Sequence, residues 1–250
     1  MLRKVPEITI LFWVVKLLTT ALGESTSDYL VVKINPYIAV ALGGTAFIIA
    51  LAIQFSVRRY IAWIYWLAVA MVAVFGTMAA DAIHIQLGVP YVASTIFFAA
   101  SLAIVFKIWH SSEKTLSIHS INSRRREVFY WATVMTTFAL GTAAGDLAAI
   151  TLGLGYLSAG LLFAGLIALT ALAYWKFGLN EIIAFWFAYI LTRPLGASFA
   201  DWTGKSHRVG GLGLGDLPVS AALMVIIIIF VAYMSFSRRE TKLETAITKP

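Results

Sequence analysis

The chain has 250 residues, 60% of them apolar and only 12% charged, with no Cys and a formal net charge of +7. Ordinary soluble domains run at roughly 45–50% apolar and about 25% charged, so a soluble core of this size cannot hide the apolar surface, and lipid must be the solvent for much of the chain. The absence of Cys excludes a disulfide framework, a thiolate metal site and a Cys nucleophile.

Stretches of about 20 apolar residues, enough to cross a bilayer, fall at 8–30, 37–57, 61–83, 90–109, 128–150, 154–175, 181–202 and 217–236. The chain is therefore predicted to be all-α, a single membrane domain over 1–250 with eight transmembrane helices. Arg3 and Lys4 ahead of the first stretch raise the question of a signal peptide. Lys16 interrupts the run and no A-x-A-like site follows it, so the segment reads as a retained helix.

The polar connector from His110 to Glu127, with its centre at 111–123, holds Ser111, Ser112, Ser117, Ser120 and Ser123, followed by Arg124, Arg125 and Arg126. It reads as a solvated cytoplasmic loop near anionic headgroups. The loop from Thr203 to Asp216 holds Lys205, His207, Arg208 and five glycines. No strand precedes it and no phosphate-binding pattern fits, so a mobile extracytoplasmic flap is expected.

Basic residues set the orientation. One side would hold Arg3, Lys4, Arg58, Arg59, Lys107, Lys114, Arg124, Arg125, Arg126, Lys176, Arg238, Arg239, Lys242 and Lys249. The other would hold only Lys33, Lys205 and Arg208, with Lys16 and Arg193 inside spans. By the positive-inside rule both termini face the cytoplasm. Basic residues placed this way serve topology and give no sign of a nucleic-acid partner.

One pattern recurs four times: Phe12-Trp13…Gly23…Asp28, Tyr65-Trp66…Gly76…Asp81, Tyr130-Trp131…Gly141…Asp146 and Phe185-Trp186…Gly196…Asp201. In each, Gly follows Trp by ten residues and Asp follows Gly by five. Each unit is one motif-bearing helix and a plainer return helix, giving repeats at 5–57, 58–110, 124–176 and 177–237. Two spans per unit make the four motif helices parallel, so the pseudo-symmetry axis is expected along the membrane normal.

This arrangement, with the opening Val5-Pro6-Glu7-Ile8-Thr9 through Lys16 and the run Leu22-Gly23-Glu24…Asp28-Tyr29, resembles a family of bacterial multi-pass membrane proteins of unknown function built from four tandem two-helix repeats, each with a tryptophan. The resemblance covers nearly the whole chain except the connector and the last dozen residues. It implies an architecture and a bacterial inner-membrane location, and no biochemistry.

On an α-helix, Trp and Asp fifteen residues apart differ by about 22 Å of rise and about 60° of rotation. The residue after Gly lies about 40° from Asp, one turn away, on the same face. Those residues are Glu24, Thr77, Thr142 and Ala197. Gly23, Gly76, Gly141 and Gly196 would let neighbouring helices approach closely. Trp13, Trp66, Trp131 and Trp186 read as packing residues or interfacial anchors.

Glu24, Asp28, Asp81, Asp146 and Asp201 at membrane depth are too costly to face lipid. With Thr77 and Thr142 they form a candidate ion-binding or translocation set of hard oxygen ligands, Glu24 and Asp28 being the strongest metal-ligand pair. Alternatively the aspartates cap backbone amides where the helices turn into outer loops. Lys16 and Arg193 are the candidate charge partners, although Lys16 could instead snorkel to the interface. Arg193 precedes Pro194, which disrupts the helical ladder. His84 and His207 near the outer side could join a metal site or sense pH.

The reading that follows is a transporter or channel for a small cation, with divalent metals such as Mg²⁺, Mn²⁺ or Ca²⁺ in range and protons as counter-ions. Its partners would be the lipid bilayer and that cation or proton, with no cofactor beyond the bound cation. The alternative is a non-transporting sensor or partner-binding scaffold with structural carboxylates. An enzyme is not expected, because no H-E-x-x-H, no G-x-S-x-G and no Cys/His pair occurs.

Overall fold

The computed structural model describes the backbone of residues 3–247 and the side chains of that range except 85, 86 and 237–247. Eight α-helices follow in order: α1 Ile10–Lys33, α2 Pro36–Ser56, α3 Ala62–Asp81, α4 Tyr91–Glu113, α5 Arg124–Asp146, α6 Tyr156–Phe177, α7 Glu181–Gly204 and α8 Asp216–Ile247. No strand occurs among the described residues. The orientation count drew on Arg238, Arg239 and Lys242, whose side chains lie outside the described set, as does Lys249 altogether.

Local chemistry fixes the helix starts. Thr9 Oγ1 accepts from Phe12 N at 3.2 Å, and Asn35 Oδ1 accepts from Tyr37 N at 3.0 Å ahead of Pro36. Ser123 and Asn180 cap α5 and α7 in the same way. Each supplies an acceptor to an otherwise orphaned amide.

Seven helices are long and apolar enough to cross a membrane, as a multi-pass membrane protein requires. The eighth predicted span, α1, has the length but not the composition. It carries Lys16, Glu24 and Asp28, and most of its polar side chains are buried inside the protein instead of facing lipid. The spanning windows of α2, α4, α6 and α8 are only 17–22% buried, whereas those of α3, α5 and α7 are 56–67% buried. Two shells result. α1 packs on α3 and α7, and α5 packs on the same two, making a ring of motif helices. Around it, α2 packs chiefly on α3, α4 on α5, α6 on α7 and α8 on α1. Each return helix thus covers mainly the motif helix of the next repeat, and the last one closes on the first.

The connector departs from its solvated reading. Ile118 and Ile121 are buried in the main core, and Lys4 N donates to Ile121 O at 3.1 Å. Arg126 and Arg125 bind Glu113 at 2.8 and 3.4 Å, while Arg124 donates to Phe55 O. Leu116, Ile118 and Ile121 supply apolar surface that the polar residues between them mask in the sequence.

Candidate functional site

A ladder of four-residue steps runs up one face of each motif helix. It reads Phe12, Lys16, Thr20, Glu24, Asp28 on α1 and Tyr65, Val69, Ala73, Thr77, Asp81 on α3. On α5 it reads Tyr130, Val134, Phe138, Thr142, Asp146, and on α7 Phe185, Tyr189, Arg193, Ala197, Asp201. Every residue of the four ladders is buried except Asp28, Asp81 and Asp146, which are half-buried. The bundle interior is therefore a stack of five layers with one residue from each repeat.

The first layer is aromatic. The Tyr65 and Tyr130 hydroxyls share a hydrogen bond, and Phe12 lies 6.2 Å from Phe185 between ring centroids. Trp66, Trp131 and Trp186 are buried in this cluster, and Trp186 Nε1 donates to Leu116 O at 2.9 Å. Trp13 is partly buried, edge-on to Phe12. Three of the motif tryptophans thus pack in the core, with Trp13 at its margin.

Lys16 occupies the second layer, 1% exposed. Its ammonium lies 4.1 Å from the Phe138 ring centroid and 4.4 Å from that of Tyr189. Among the described residues it has no hydrogen-bond partner and no ion pair. The expectation that Lys16 is a charge partner of the acids is thereby corrected. Eight residues separate it from Glu24, about 12 Å of helical rise, so its ammonium meets aromatic faces instead.

In the third layer each motif glycine receives the facing residue of the next motif helix. A Cβ on Gly23 would stand 2.5 Å from Ala73 Cβ, one on Gly76 would stand 3.0 Å from Phe138 Cβ, and one on Gly141 would stand 2.5 Å from Arg193 Cβ. Gly196 meets Thr20 more tightly still. The series runs α1 to α3, α3 to α5, α5 to α7 and α7 back to α1. All four glycines therefore serve close helix packing.

The fourth layer gathers on Arg193, also 1% exposed. Its Nη2 donates to Glu24 Oε2 at 2.5 Å, Thr77 Oγ1 at 2.5 Å and Thr142 Oγ1 at 2.9 Å. The two threonine hydroxyls in turn donate to Ala73 O and Phe138 O. Thr77 and Thr142, expected as cation ligands, have their oxygens turned to the guanidinium. Ala197, in the repeat that supplies Arg193, brings no oxygen. Pro194 stays within a continuous α7 and packs against Gly141 and Gly145.

The fifth layer holds the aspartates. Carboxylate oxygens of Glu24, Asp28 and Asp201 lie within 4.8 Å of one another. Lys205 Nζ donates to Asp28 and stands 3.9 Å from Asp201. Burial alone would favour the neutral amine of Lys205, but the Asp28 and Asp201 carboxylates outweigh it and hold its pKa above the ordinary lysine value. Asp81 and Asp146 make no side-chain hydrogen bond or ion pair among the described residues. Immediately after each, the chain loosens into a π-helical turn, Ala82–Gln86 and Leu147–Thr151. None of the four aspartates caps a backbone amide with its side chain among the described residues.

Two features escaped the sequence reading. Lys205 was assigned to a mobile flap, yet that loop folds back on the end of α7: Leu212 N donates to Trp202 O, Gly213 N to Lys205 O, Leu214 N to Thr203 O and Gly215 N to Gly204 O, at 2.6–3.1 Å. At the opposite end of the bundle, Lys4 pairs with fully buried Glu127, which also accepts from Gln54 Nε2 at 3.0 Å. His84 is buried against Tyr91 and Val89 O, and His207 binds Gly211 O, so neither joins the carboxylates.

The model of a family described as a repeat of unknown function, DUF347, matches residues 11–60, 64–115, 129–179 and 184–240. The chain belongs to this family. Its four repeats are those read from the Trp, Gly and Asp pattern, with each family match beginning a few residues inside the sequence-derived boundary. No curated protein and no solved structure matches the chain.

Proposed function

We propose that the protein is an integral membrane carrier for a small cation, exchanged against protons, with the cation held by Glu24, Asp28 and Asp201. The observation that carries this reading is the convergence of those three carboxylates to within 4.8 Å, with the Lys205 ammonium seated on two of them, Asp28 and Asp201. Three hard oxygen donors suit Mg²⁺, Mn²⁺ or Ca²⁺ as well as a monovalent ion. All three acids already face a resident cation, Glu24 the Arg193 guanidinium and Asp28 and Asp201 the Lys205 ammonium. An incoming ion therefore has to displace Lys205, and protons released or taken up by the carboxylates would balance the exchange. Asp81 and Asp146, with no pairing partner, would complete the vestibule.

The same geometry argues for a carrier over an open channel. Arg193 reaches Glu24, Thr77 and Thr142 on three other helices below the aspartates, and its fixed positive charge there opposes the free passage of cations. In our reading the four repeats surround a pseudo-fourfold axis along the membrane normal, supported by the cyclic order of the glycine contacts. Both termini face the cytoplasm of a bacterial inner membrane, so the aspartate end opens outward. No enzymatic role is proposed.

A second reading, a non-transporting sensor or scaffold, draws support from the packed aromatic layer and from the match of Glu24 with Arg193. Uptake into liposomes separates the two. The carrier reading expects saturable uptake of at least one of Mg²⁺, Mn²⁺, Ca²⁺, Na⁺ or K⁺ and its loss in Asp28→Asn. Binding without flux would favour the sensor, and neither binding nor flux would contradict a cation site.

A further inference from the structure

Two positive charges lie against one phenylalanine with most of their hydrogen-bonding capacity unused. Lys16 Nζ is 4.1 Å and Arg193 Cζ 5.8 Å from the Phe138 ring centroid. All three oxygens that Arg193 binds share its Nη2, leaving Nε and Nη1 without an acceptor among the described residues. Lys16 Nζ also lacks one. Both side chains are 1% exposed.

A buried ammonium without an acceptor is costly, and the surrounding groups compensate little. The Phe138 and Tyr189 rings attract the Lys16 charge, but a ring face accepts no conventional hydrogen bond. Thr20 Oγ1 donates to the carbonyls of Leu17 and Thr192 and takes no bond from Lys16 among the described residues. The carboxylate of the fourth layer, Glu24, is bound to Arg193 Nη2. Three buried basic nitrogens are thus left without an acceptor around this point of the bundle among the described residues.

We propose that Lys16 and the free edge of Arg193 form a binding site for a compact monovalent anion, chloride or a short carboxylate. The anion accepts from Lys16 Nζ and from Arg193 Nε or Nη1. This site is separate from the outer carboxylates and does not require the cation reading to hold.

The test uses the full chain in detergent micelles, with the thermal midpoint followed through tryptophan fluorescence. Sodium chloride and sodium acetate are titrated against sodium gluconate at constant ionic strength, and a compact anion should raise the midpoint saturably where gluconate does not. Response to chloride alone or acetate alone identifies the ligand. Lys16→Met removes the charge from a chain of similar length without burying a new polar group, so it should fold. Its anion affinity should fall roughly 30-fold or more, the usual loss when one side of a buried charged contact is removed. Asp28→Asn should keep the anion response. The proposal is overturned if neither anion shifts the wild-type midpoint, if gluconate matches them, or if Lys16→Met responds like the wild type.

Discussion

The α1–α7 pair and the α3–α5 pair carry the same Trp, Gly and Asp at the same spacing, yet they do different work. Lys16, Glu24 and Arg193, the charged side chains of the inner layers, all sit on α1 and α7, and the Asp28 and Asp201 of these helices share Lys205. The α3–α5 pair lends neutral Val69, Ala73, Thr77, Val134, Phe138 and Thr142 to those layers, leaves Asp81 and Asp146 unpaired, and breaks into π-helical turns directly after them. The repeat provides four equivalent positions. Ion pairing is concentrated on two neighbouring helices, and the other two form the hydroxyl and aromatic wall around it.

The largest effect that follows is on the central pair. Arg193→Met would leave Glu24 buried without its partner and should cost about 3–5 kcal/mol of stability, read from denaturant unfolding in micelles. The double variant with Glu24→Gln should recover much of it. A single variant as stable as the wild type would remove Arg193 from the centre of the account.

Next come the glycines that let the two pairs interlock. A valine at Gly196 would collide with Thr20 and should cost about 1–3 kcal/mol. Gly165→Val on α6, where nothing lies within 4 Å of an added Cβ, should stay within about 0.5 kcal/mol. Equal losses at both positions would mean that the cyclic contact is not specific.

The aspartates give a smaller, sharper contrast. Asp28→Asn breaks a partly exposed pair with Lys205 and should cost about 1 kcal/mol, whereas Asp81→Asn, which breaks none, should be neutral or slightly stabilising. The smallest effect lies in the pH dependence of Lys205. A lysine whose pKa is raised on folding stabilises fully below the ordinary value of about 10.4 and loses that contribution only as pH rises through the raised one. The stability difference between wild type and Lys205→Met should therefore show no Lys205 titration from about pH 6 to pH 9 and shrink in strong alkali.

How much of this the sequence disclosed depends on whether a position repeats. Trp, Gly and Asp recur at fixed spacing, so the motif helices, their close packing and the acidic level were all legible. Glu24 and Arg193 stood out as charges inside spans. The Arg193–Thr77–Thr142 contact was not read, although Thr77 and Thr142 share the position of Glu24, because one-dimensional spacing does not say which helix faces which. Lys205 was hidden for a different reason: only the backbone bonds that fold Leu212–Gly215 against α7 bring its ammonium to Asp28. Lys16 lies about 12 Å of helical rise from Glu24, and only the packed structure shows that its amine meets the Phe138 and Tyr189 rings. The connector hid its apolar anchors among serines and arginines.

The central claim is that Lys205 occupies a cation site made by Glu24, Asp28 and Asp201. Calorimetric titration of the purified protein with Mg²⁺, Mn²⁺, Ca²⁺, Na⁺ and K⁺ tests it most directly, comparing wild type with Lys205→Met and Asp28→Asn. The account expects at least one cation to bind the wild type, to bind Lys205→Met more tightly because the resident competitor is gone, and to lose affinity in Asp28→Asn. A cation whose affinity is unchanged or weaker in Lys205→Met, or no binding in any of the three proteins, would contradict it.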